Sequence, residues 1–202
     1  QISKLFIKKG LSLSIVESCT GGKITEMITA ESGVSAFFKG GMVTYATHIK
    51  SSVLGVDEKL INKYSVVSSE VAEAMALQSN KVFDTDYAIS TTGNAGPKKG
   101  DADDELGTVY ISIASAAGVF TEKFNFGQPR EKVIGRATFK ALELLQKEFP
   151  TLKTYALPSY NIRYPKSGSL LKLKLLLNIN CPSTRAILLS FNFNKPIFLL
   201  DK

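Results

Sequence analysis

Hydrophobic and polar positions in the first 149 residues alternate between two periods, one typical of strands and one typical of helices. Five short apolar runs predict buried strands: 11–16, 42–46, 87–91, 108–114 and 119–126. Apolar positions three and four apart predict helices at 2–9, after Gly21 and Gly22, at 49–54, at 58–64 with Asp57 as N-cap, after Ser68 or Ser69 as N-cap, and at 129–149. The last of these helices is predicted to turn one stripe inward: Val133, Ala137, Ala141, Leu144 and Leu145. The pattern therefore predicts a layered α/β domain.

The connections between these strands predict a five-stranded mixed, mostly parallel sheet with helices on both faces. Only a few residues around Gly118 join the last two strands. Such a link is too short for a parallel crossover, so that pair is expected to be antiparallel.

Composition changes abruptly after Pro150. Residues 150–202 contain no Val and no Glu, and they carry eight basic side chains against the single acidic Asp201, so that the net charge of +7 arises there. We predict a domain at 1–149 followed by an atypical basic tail at 150–202 that is not a separate domain. Because the predicted domain itself is balanced in charge, nucleic acid is not expected as a partner.

Hydropathy and cysteine content indicate the compartment. No stretch approaches the roughly 20 continuous apolar residues of a membrane span, and the N-terminus lacks the long apolar core of a signal peptide. Cys19 and Cys181 are too few for a disulfide framework. We expect a cytoplasmic protein with no membrane partner.

The first segment with candidate chemistry is Glu17-Ser18-Cys19-Thr20-Gly21-Gly22, where a buried strand meets a helix. Main-chain N–H groups at such a junction favour an anion or a developing oxyanion, and glycines let a ligand approach closely. Ser18 is a candidate nucleophile, with the neighbouring Cys19 ranked below it. The alternative is that Ser18 or Thr20 merely caps the helix.

A serine nucleophile needs a base. His48, the one histidine, lies in the segment Tyr45-Ala46-Thr47-His48-Ile49-Lys50. Lys50 is a second candidate, provided that burial or a nearby cation lowers its pKa, and the Tyr45 hydroxyl can relay a proton. The alternative is that all three are surface or packing residues.

A second glycine turn, Thr92-Gly93-Asn94-Ala95-Gly96-Pro97, follows the third strand. Ligands of open α/β sheets bind at the carboxyl ends of strands, so a phosphate or carboxylate is expected there. Arg130 begins the last helix and can clamp such a group, and the alternative is a solvated arginine. The acidic residues Asp101, Asp103, Asp104 and Glu105 lack the EF-hand spacing, so we read them as a solvated loop and predict no metal site.

Taken in order, six segments resemble the CinA C-terminal domain family over about residues 2–148. They are LSLSIVESCTGG, FFKGGMVTYATHIKSSVLGV, VSSEVAEAMA, TTGNAGP, GTVYISIA and PREKVIGRATFKALELL. The resemblance implies a three-layer α/β/α sandwich. Studied members include amidases that convert nicotinamide mononucleotide to nicotinate mononucleotide and ammonia in pyridine nucleotide salvage.

Carried over by position, the resemblance implies Ser18 as nucleophile, with Lys50 and Tyr45 as the proton-handling pair. It assigns substrate contacts to Cys19, Thr20, Gly21, Gly22, Thr92, Gly93 and Arg130. It implies a small-molecule nucleotide as substrate and neither a metal nor an organic cofactor. We also expect a homodimer or higher homo-oligomer. The alternative function is a non-catalytic nucleotide- or partner-binding module of the competence or damage-inducible type.

Overall fold

The computed structural model describes residues 2–98 and 104–151, with residues 149–151 described by backbone alone. The strands are β1 (Leu13–Glu17), β2 (Phe38–Val43), β3 (Tyr87–Gly93), β4 (Thr108–Ser115) and β5 (Gly118–Asn125). The helices are α1 (Ile2–Lys9), α2 (Lys23–Thr29), α3 (Thr47–Ser52), α4 (Glu58–Tyr64), α5 (Ser69–Phe83) and α6 (Arg130–Thr151), with a 3-10 turn at Val34–Ala36. The predicted tail from residue 152 onward lies outside the described residues, as do Asp101 and Asp103.

The five strands form one mixed sheet in the order β2-β1-β3-β4-β5. β1 pairs in parallel with β2 and β3, whereas β4 is antiparallel to both β3 and β5. The five-stranded mixed sheet and the antiparallel last pair are confirmed. The expectation of a mostly parallel sheet is wrong, because β4 runs against both of its neighbours and makes half of the strand pairs antiparallel.

Alternate side chains of the central strands enter two separate hydrophobic clusters. Leu13 and Ile15 of β1 pack in a cluster with residues of α1, α2 and α6, while Val16 packs in another with residues of α4 and α5. Successive strand residues face opposite sides of a sheet, so each side of β1 is covered by its own helices. The inner stripe predicted for the last helix is buried throughout: Val133, Ala137, Ala141, Leu144 and Leu145.

Helix starts follow the predicted capping residues. The Ser68 hydroxyl accepts from the Val71 N–H at 3.3 Å, and an Asp57 carboxylate oxygen accepts from the Lys59 N–H at 2.9 Å. Among the described residues, no helix is both long enough and apolar enough to cross a membrane.

Strand β2 begins and ends earlier than the predicted 42–46. The middle of the strand contains Gly40 and Gly41, and glycine is depleted in the residue pattern by which strands are recognised. A Cβ on Gly41 would lie 2.6 Å from the Ile15 carbonyl oxygen, so glycine is what allows β2 to approach β1 here. Since the strand ends at Val43, residues 44–46 are free to form the loop that leads into α3.

Candidate active site

Ser18 lies immediately beyond β1, at the carboxyl edge of the parallel strands. Its N–H donates to the Thr91 carbonyl at 3.0 Å, which continues the ladder between β1 and β3 by one residue. The residue is only 8% exposed. The backbone of Ser18 is therefore fixed by the sheet, and the residue is largely shielded from solvent.

Lys50 reaches Ser18 from α3, although the two residues are 32 positions apart. The Lys50 Nζ is 3.1 Å from Ser18 Oγ, and the residue is 1% exposed. The Lys50 Nζ also donates to the Thr44 carbonyl at 2.7 Å and to the Tyr45 carbonyl at 3.5 Å. Of the predicted catalytic residues Ser18, Lys50 and Tyr45, the structure thus brings the side chains of Ser18 and Lys50 together. The other candidate base, His48, is exposed.

Tyr45 contacts Lys50 through its main chain and Arg130 through its side chain. The Arg130 guanidinium donates to the Tyr45 hydroxyl at 3.0 Å and to the Gly96 carbonyl at 2.9 Å. Tyr45 is 60% exposed. Arg130 therefore joins the loop after β2 to the glycine turn after β3, and a role of the Tyr45 hydroxyl in proton transfer stays a prediction.

Two of the predicted substrate contacts use their side chains within the protein. The Thr20 and Thr91 hydroxyls are 2.8 Å apart, and the Thr92 hydroxyl donates to the Val66 carbonyl at 2.7 Å. Packing alone explains why residue 93 is glycine, because a Cβ there would lie 2.7 Å from the Thr108 carbonyl oxygen of β4. A substrate role for Thr92 and Gly93 stays a prediction.

Glu17 is the residue that the sequence reasoning missed as a part of the site. Its carboxylate is fully buried and accepts from the N–H groups of Gly22, Ile24 and Thr25 at 3.0, 3.1 and 2.8 Å. The sequence did contain a sign of this role for Glu17. It is an acidic residue at the end of a buried strand, and the N–H groups at the start of the next helix attract negative charge.

The Glu17 contacts change the expectation for the glycine turn. The Gly22 N–H donates to Glu17, and the Gly21 N–H donates to the Ser18 carbonyl at 3.1 Å. Both N–H groups are used inside the protein. Within the described part of the chain, the N–H groups of Cys19 and Thr20 have no hydrogen bond to another residue, which makes these two the candidate oxyanion donors.

Cys19 is a poor nucleophile in this setting. Burial raises the pKa of its thiol from 9.0 to about 12, against the lowering effects of its own backbone hydrogen bond and of Lys50. The thiolate is the reactive form of cysteine, and it is scarce near neutral pH at such a pKa. This supports the ranking of Ser18 above Cys19.

A polar cavity of about 790 Å³ opens at the same end of the sheet. Thr47 of α3, Tyr110 of β4 and the segment 65–70 line one part of it each. Tyr110 is directly opposite Thr92 in the sheet, whose hydroxyl contacts Val66 of that segment. The volume is in the range that small-molecule ligands occupy. Among the residues that the structure describes, no three His, Cys, Asp or Glu side chains come together as metal ligands.

Comparison with known protein families identifies the family of this chain. The model of the CinA C-terminal domain matches residues 1–149. The chain belongs to the CinA C-terminal domain family. It is similar to a CinA-like protein of Flavobacterium psychrophilum, at 59% identity over 155 residues. A CinA-like protein of Geotalea uraniireducens is 39% identical over 153 residues.

These curated relatives are much longer proteins. The matches cover 77% and 76% of this chain, but only 37% and 36% of the two relatives. The chain thus spans little more than a third of the length of the CinA-like proteins that it matches.

Solved structures of the CinA superfamily agree with the fold described above. The competence damage-inducible protein A of Klebsiella pneumoniae matches with a TM-score of 0.71 and 28% identity, over 74% of this chain and 92% of that one. A competence-damaged protein (CinA) superfamily member from Escherichia coli matches with a TM-score of 0.70 and 31% identity, over 73% of this chain and 86% of that one.

Proposed function

We propose that this CinA-family domain hydrolyses the carboxamide of nicotinamide mononucleotide to nicotinate mononucleotide and ammonia. The observation that carries the proposal is the 3.1 Å approach of the buried Lys50 Nζ to Ser18 Oγ at the carboxyl edge of the sheet. A nucleophile and its base must be within hydrogen-bond reach of each other, and this pair meets that requirement.

Lys50 is suited to take the Ser18 proton when it is a neutral amine. A neutral amine has two N–H donors and one lone pair, and Lys50 has two carbonyl acceptors, those of Thr44 and Tyr45, beside the Ser18 hydroxyl. A neutral amine that donates to both carbonyls keeps its lone pair for the proton of the Ser18 hydroxyl. The two carbonyls thereby orient the base.

The reaction then follows two balanced steps. The Ser18 Oγ forms a bond to the carboxamide carbon while its proton moves to Lys50. The carbon–nitrogen bond then breaks, and ammonia leaves with that proton. Water next gives a proton to Lys50 and attacks the acyl ester, and Ser18 recovers its proton as nicotinate mononucleotide leaves.

The negative charge of the two tetrahedral intermediates needs donors close to Ser18. The Cys19 and Thr20 N–H groups are the proposed donors, and the N–H of the residue after the nucleophile serves in the same way in other hydrolases with a strand-to-helix nucleophile turn. This narrows the expected oxyanion donors from the segment 19–22 to its first two residues.

The nucleotide portion of the substrate has two polar surfaces available. Arg130 presents a guanidinium at the mouth of the site, and guanidinium groups bind phosphate through two parallel hydrogen bonds. The cavity lined by Thr47, Tyr110 and residues 65–70 offers hydroxyl groups to the ribose. We assign Tyr45 two roles: its carbonyl helps to orient Lys50, and its hydroxyl accepts from Arg130.

Ammonia release from nicotinamide mononucleotide tests the proposal. We expect turnover by the intact chain and its loss in Ser18→Ala, with Ser52→Ala on the exposed face of α3 as the matched control that keeps full activity. Release that survives Ser18→Ala would contradict the mechanism. Binding of the nucleotide without any release by the wild-type chain would instead support the non-catalytic module.

A further inference from the structure

The Glu17 carboxylate is surrounded by donors from one short segment that follows Ser18. Besides three main-chain N–H groups, it accepts from the Thr25 hydroxyl at 2.8 Å. A carboxylate offers about four lone-pair sites and no donor, so these four contacts saturate it. The side chain is fully buried, so solvent does not reach these contacts.

The main chain of Glu17 is connected to the other half of the site. Its carbonyl accepts from the Thr44 N–H at 2.8 Å, and the Thr44 carbonyl in turn accepts from Lys50 Nζ at 2.7 Å. One residue therefore contacts both the turn after the nucleophile and the loop that orients the amine.

The turn after Ser18 needs such support because of its own composition. Gly21 and Gly22 both adopt left-handed backbone conformations, with φ of 63° and 95°. Glycine reaches these conformations without strain but has little preference for them, so the sequence alone leaves the turn poorly determined. The Glu17 carboxylate binds Gly22 directly and binds the helix that follows it through Ile24 and Thr25.

We infer that Glu17 is a positioning residue, which holds the turn after Ser18 so that the Cys19 and Thr20 N–H groups are directed at the reacting carbonyl. The inference rests on the proposed function. By occupying the N–H groups of Gly22, Ile24 and Thr25, Glu17 also prevents the start of α2 from competing for the substrate's negative charge. Glu17 acts through the backbone of its neighbours and does not contact the substrate.

Glu17→Gln is the most direct test, because the two side chains have the same shape. The carboxamide oxygen can replace one carboxylate oxygen, but the amide NH₂ is a donor and must face N–H groups. We expect kcat on nicotinamide mononucleotide to fall by about 100-fold, the effect of a displacement of about 1 Å in a reacting geometry, with KM within about twofold. Glu26→Gln is the matched control: Glu26 lies on α2, the helix that Glu17 contacts, pairs with Lys23, and has a side chain that is 67% exposed.

Active-site titration separates positioning from a loss of folded protein. A fluorophosphonate forms a bond between phosphorus and Ser18 Oγ, fluoride leaves, and the serine proton passes to Lys50. We expect Glu17→Gln to reach the same final labelling stoichiometry as Glu26→Gln, at a rate at least about tenfold lower.

A drop in labelling stoichiometry that accounts for all of the lost activity would overturn the inference in favour of a structural role, and so would an unchanged kcat. If Glu17→Gln does not fold, Thr25→Val, which removes one of the four donors, must lower kcat while KM and stoichiometry hold; no change in kcat there also overturns it.

Failure of the proposed function has a different signature. If the wild-type chain is labelled at Ser18 but releases no ammonia from nicotinamide mononucleotide, the substrate assignment fails, and the ratio of labelling rates between the two Gln variants still decides the role of Glu17. If the wild-type chain is neither labelled nor active, the nucleophile and the positioning role are both wrong.

Discussion

At the scale of single residues, the site consists of ordinary side chains whose chemistry is set by burial and by main-chain acceptors. Lys50 is 1% exposed and has two carbonyl oxygens beside its nitrogen, so its direction toward Ser18 is determined by the loop between β2 and α3.

Replacing Lys50 by Met should abolish the proposed base while filling nearly the same volume. Loss of a general base typically costs 100- to 10,000-fold, so we expect kcat to fall by about 100-fold or more. Steady-state ammonia release measures it, with Lys8→Met on the exposed surface of α1 as the control. Circular dichroism must show that the fold persists, and a folded Lys50→Met protein with wild-type kcat would remove Lys50 from the mechanism.

Tyr45→Phe separates the two roles available to this residue. The variant keeps the carbonyl that accepts from Lys50 and removes only the hydroxyl that accepts from Arg130. We expect a several-fold higher KM with kcat nearly unchanged, because the orientation of Arg130 is altered and Lys50 is not. A large fall in kcat at constant KM would instead place the hydroxyl in proton transfer, as the family resemblance implies.

The raised pKa of Cys19 predicts a specific dependence of stability on pH. The pKa is about 12 in the folded protein against 9.0 for a free thiol, so above pH 9 the unfolded chain loses a proton that the folded chain retains. The free energy of unfolding should therefore fall as pH rises from 9 toward 12, by about 1.4 kcal/mol per pH unit from this group. Urea unfolding at pH 8 and pH 10 should show a smaller decrease for Cys19→Ala than for the wild-type chain.

At the scale of elements, the close pairing of β1 and β2 decides where Lys50 can be. β2 contains two adjacent glycines, one of which faces the Ile15 carbonyl of β1. The early end of β2 then leaves residues 44–46 to carry the two carbonyls to Lys50. A change in this pairing should affect both stability and catalysis.

Gly41→Ala should therefore destabilise the domain. The new Cβ meets backbone 2.6 Å away, which cannot move without shifting the strand pairing, so we expect a loss of about 2 kcal/mol or more in the free energy of unfolding. Gly135→Ala is the control of opposite sign: it lies within α6 with no atom near the new Cβ, and Ala is favoured over Gly in a helix by about 1 kcal/mol. Urea denaturation measures both, and equal effects would contradict the argument from β2.

At the scale of the whole molecule, the proposed chemistry and the basic charge fall on different parts of the chain. The site residues lie between Glu17 and Arg130, within the family match at 1–149, whereas the net charge of +7 arises from residues 150–202. A homodimer or higher oligomer, which light scattering would detect, stays a prediction, as does the cytoplasmic location.

A chain ending at residue 151, which keeps all of α6, should retain kcat and KM on nicotinamide mononucleotide. The proposed reaction uses no residue beyond Arg130, and this is the physical basis of the expectation. Comparison of turnover by the two chains measures it. Salt-sensitive DNA binding by the intact chain that disappears on truncation would assign nucleic-acid binding to the tail. Loss of turnover in a folded truncated chain would contradict the domain boundary.

Local patterns were sufficient for much of the fold. Helix 2–9, the caps at Asp57 and Ser68 and the buried stripe of α6 follow from spacing and from capping chemistry, which act over a few residues. The boundaries of β2 did not follow, because glycine lowers strand propensity and the reason for it lies on the neighbouring strand. The proportion of parallel pairs was also overestimated, because the direction of β4 relative to its neighbours depends on which strands it joins.

The family, the five-stranded α/β plan, and Ser18 and Lys50 as candidates could all be inferred from the amino-acid sequence, since they depend on residue types and their order. The folded structure was needed to show that the Lys50 nitrogen lies 3.1 Å from Ser18 Oγ, that Tyr45 uses its hydroxyl for Arg130, and that Glu17 takes up the Gly22 N–H. Hydrogen bonds have a reach of about 3 Å and depend on direction, and the partners of Ser18 and Arg130 come from other strands and loops. Their geometry is therefore set by packing, which a linear pattern does not contain.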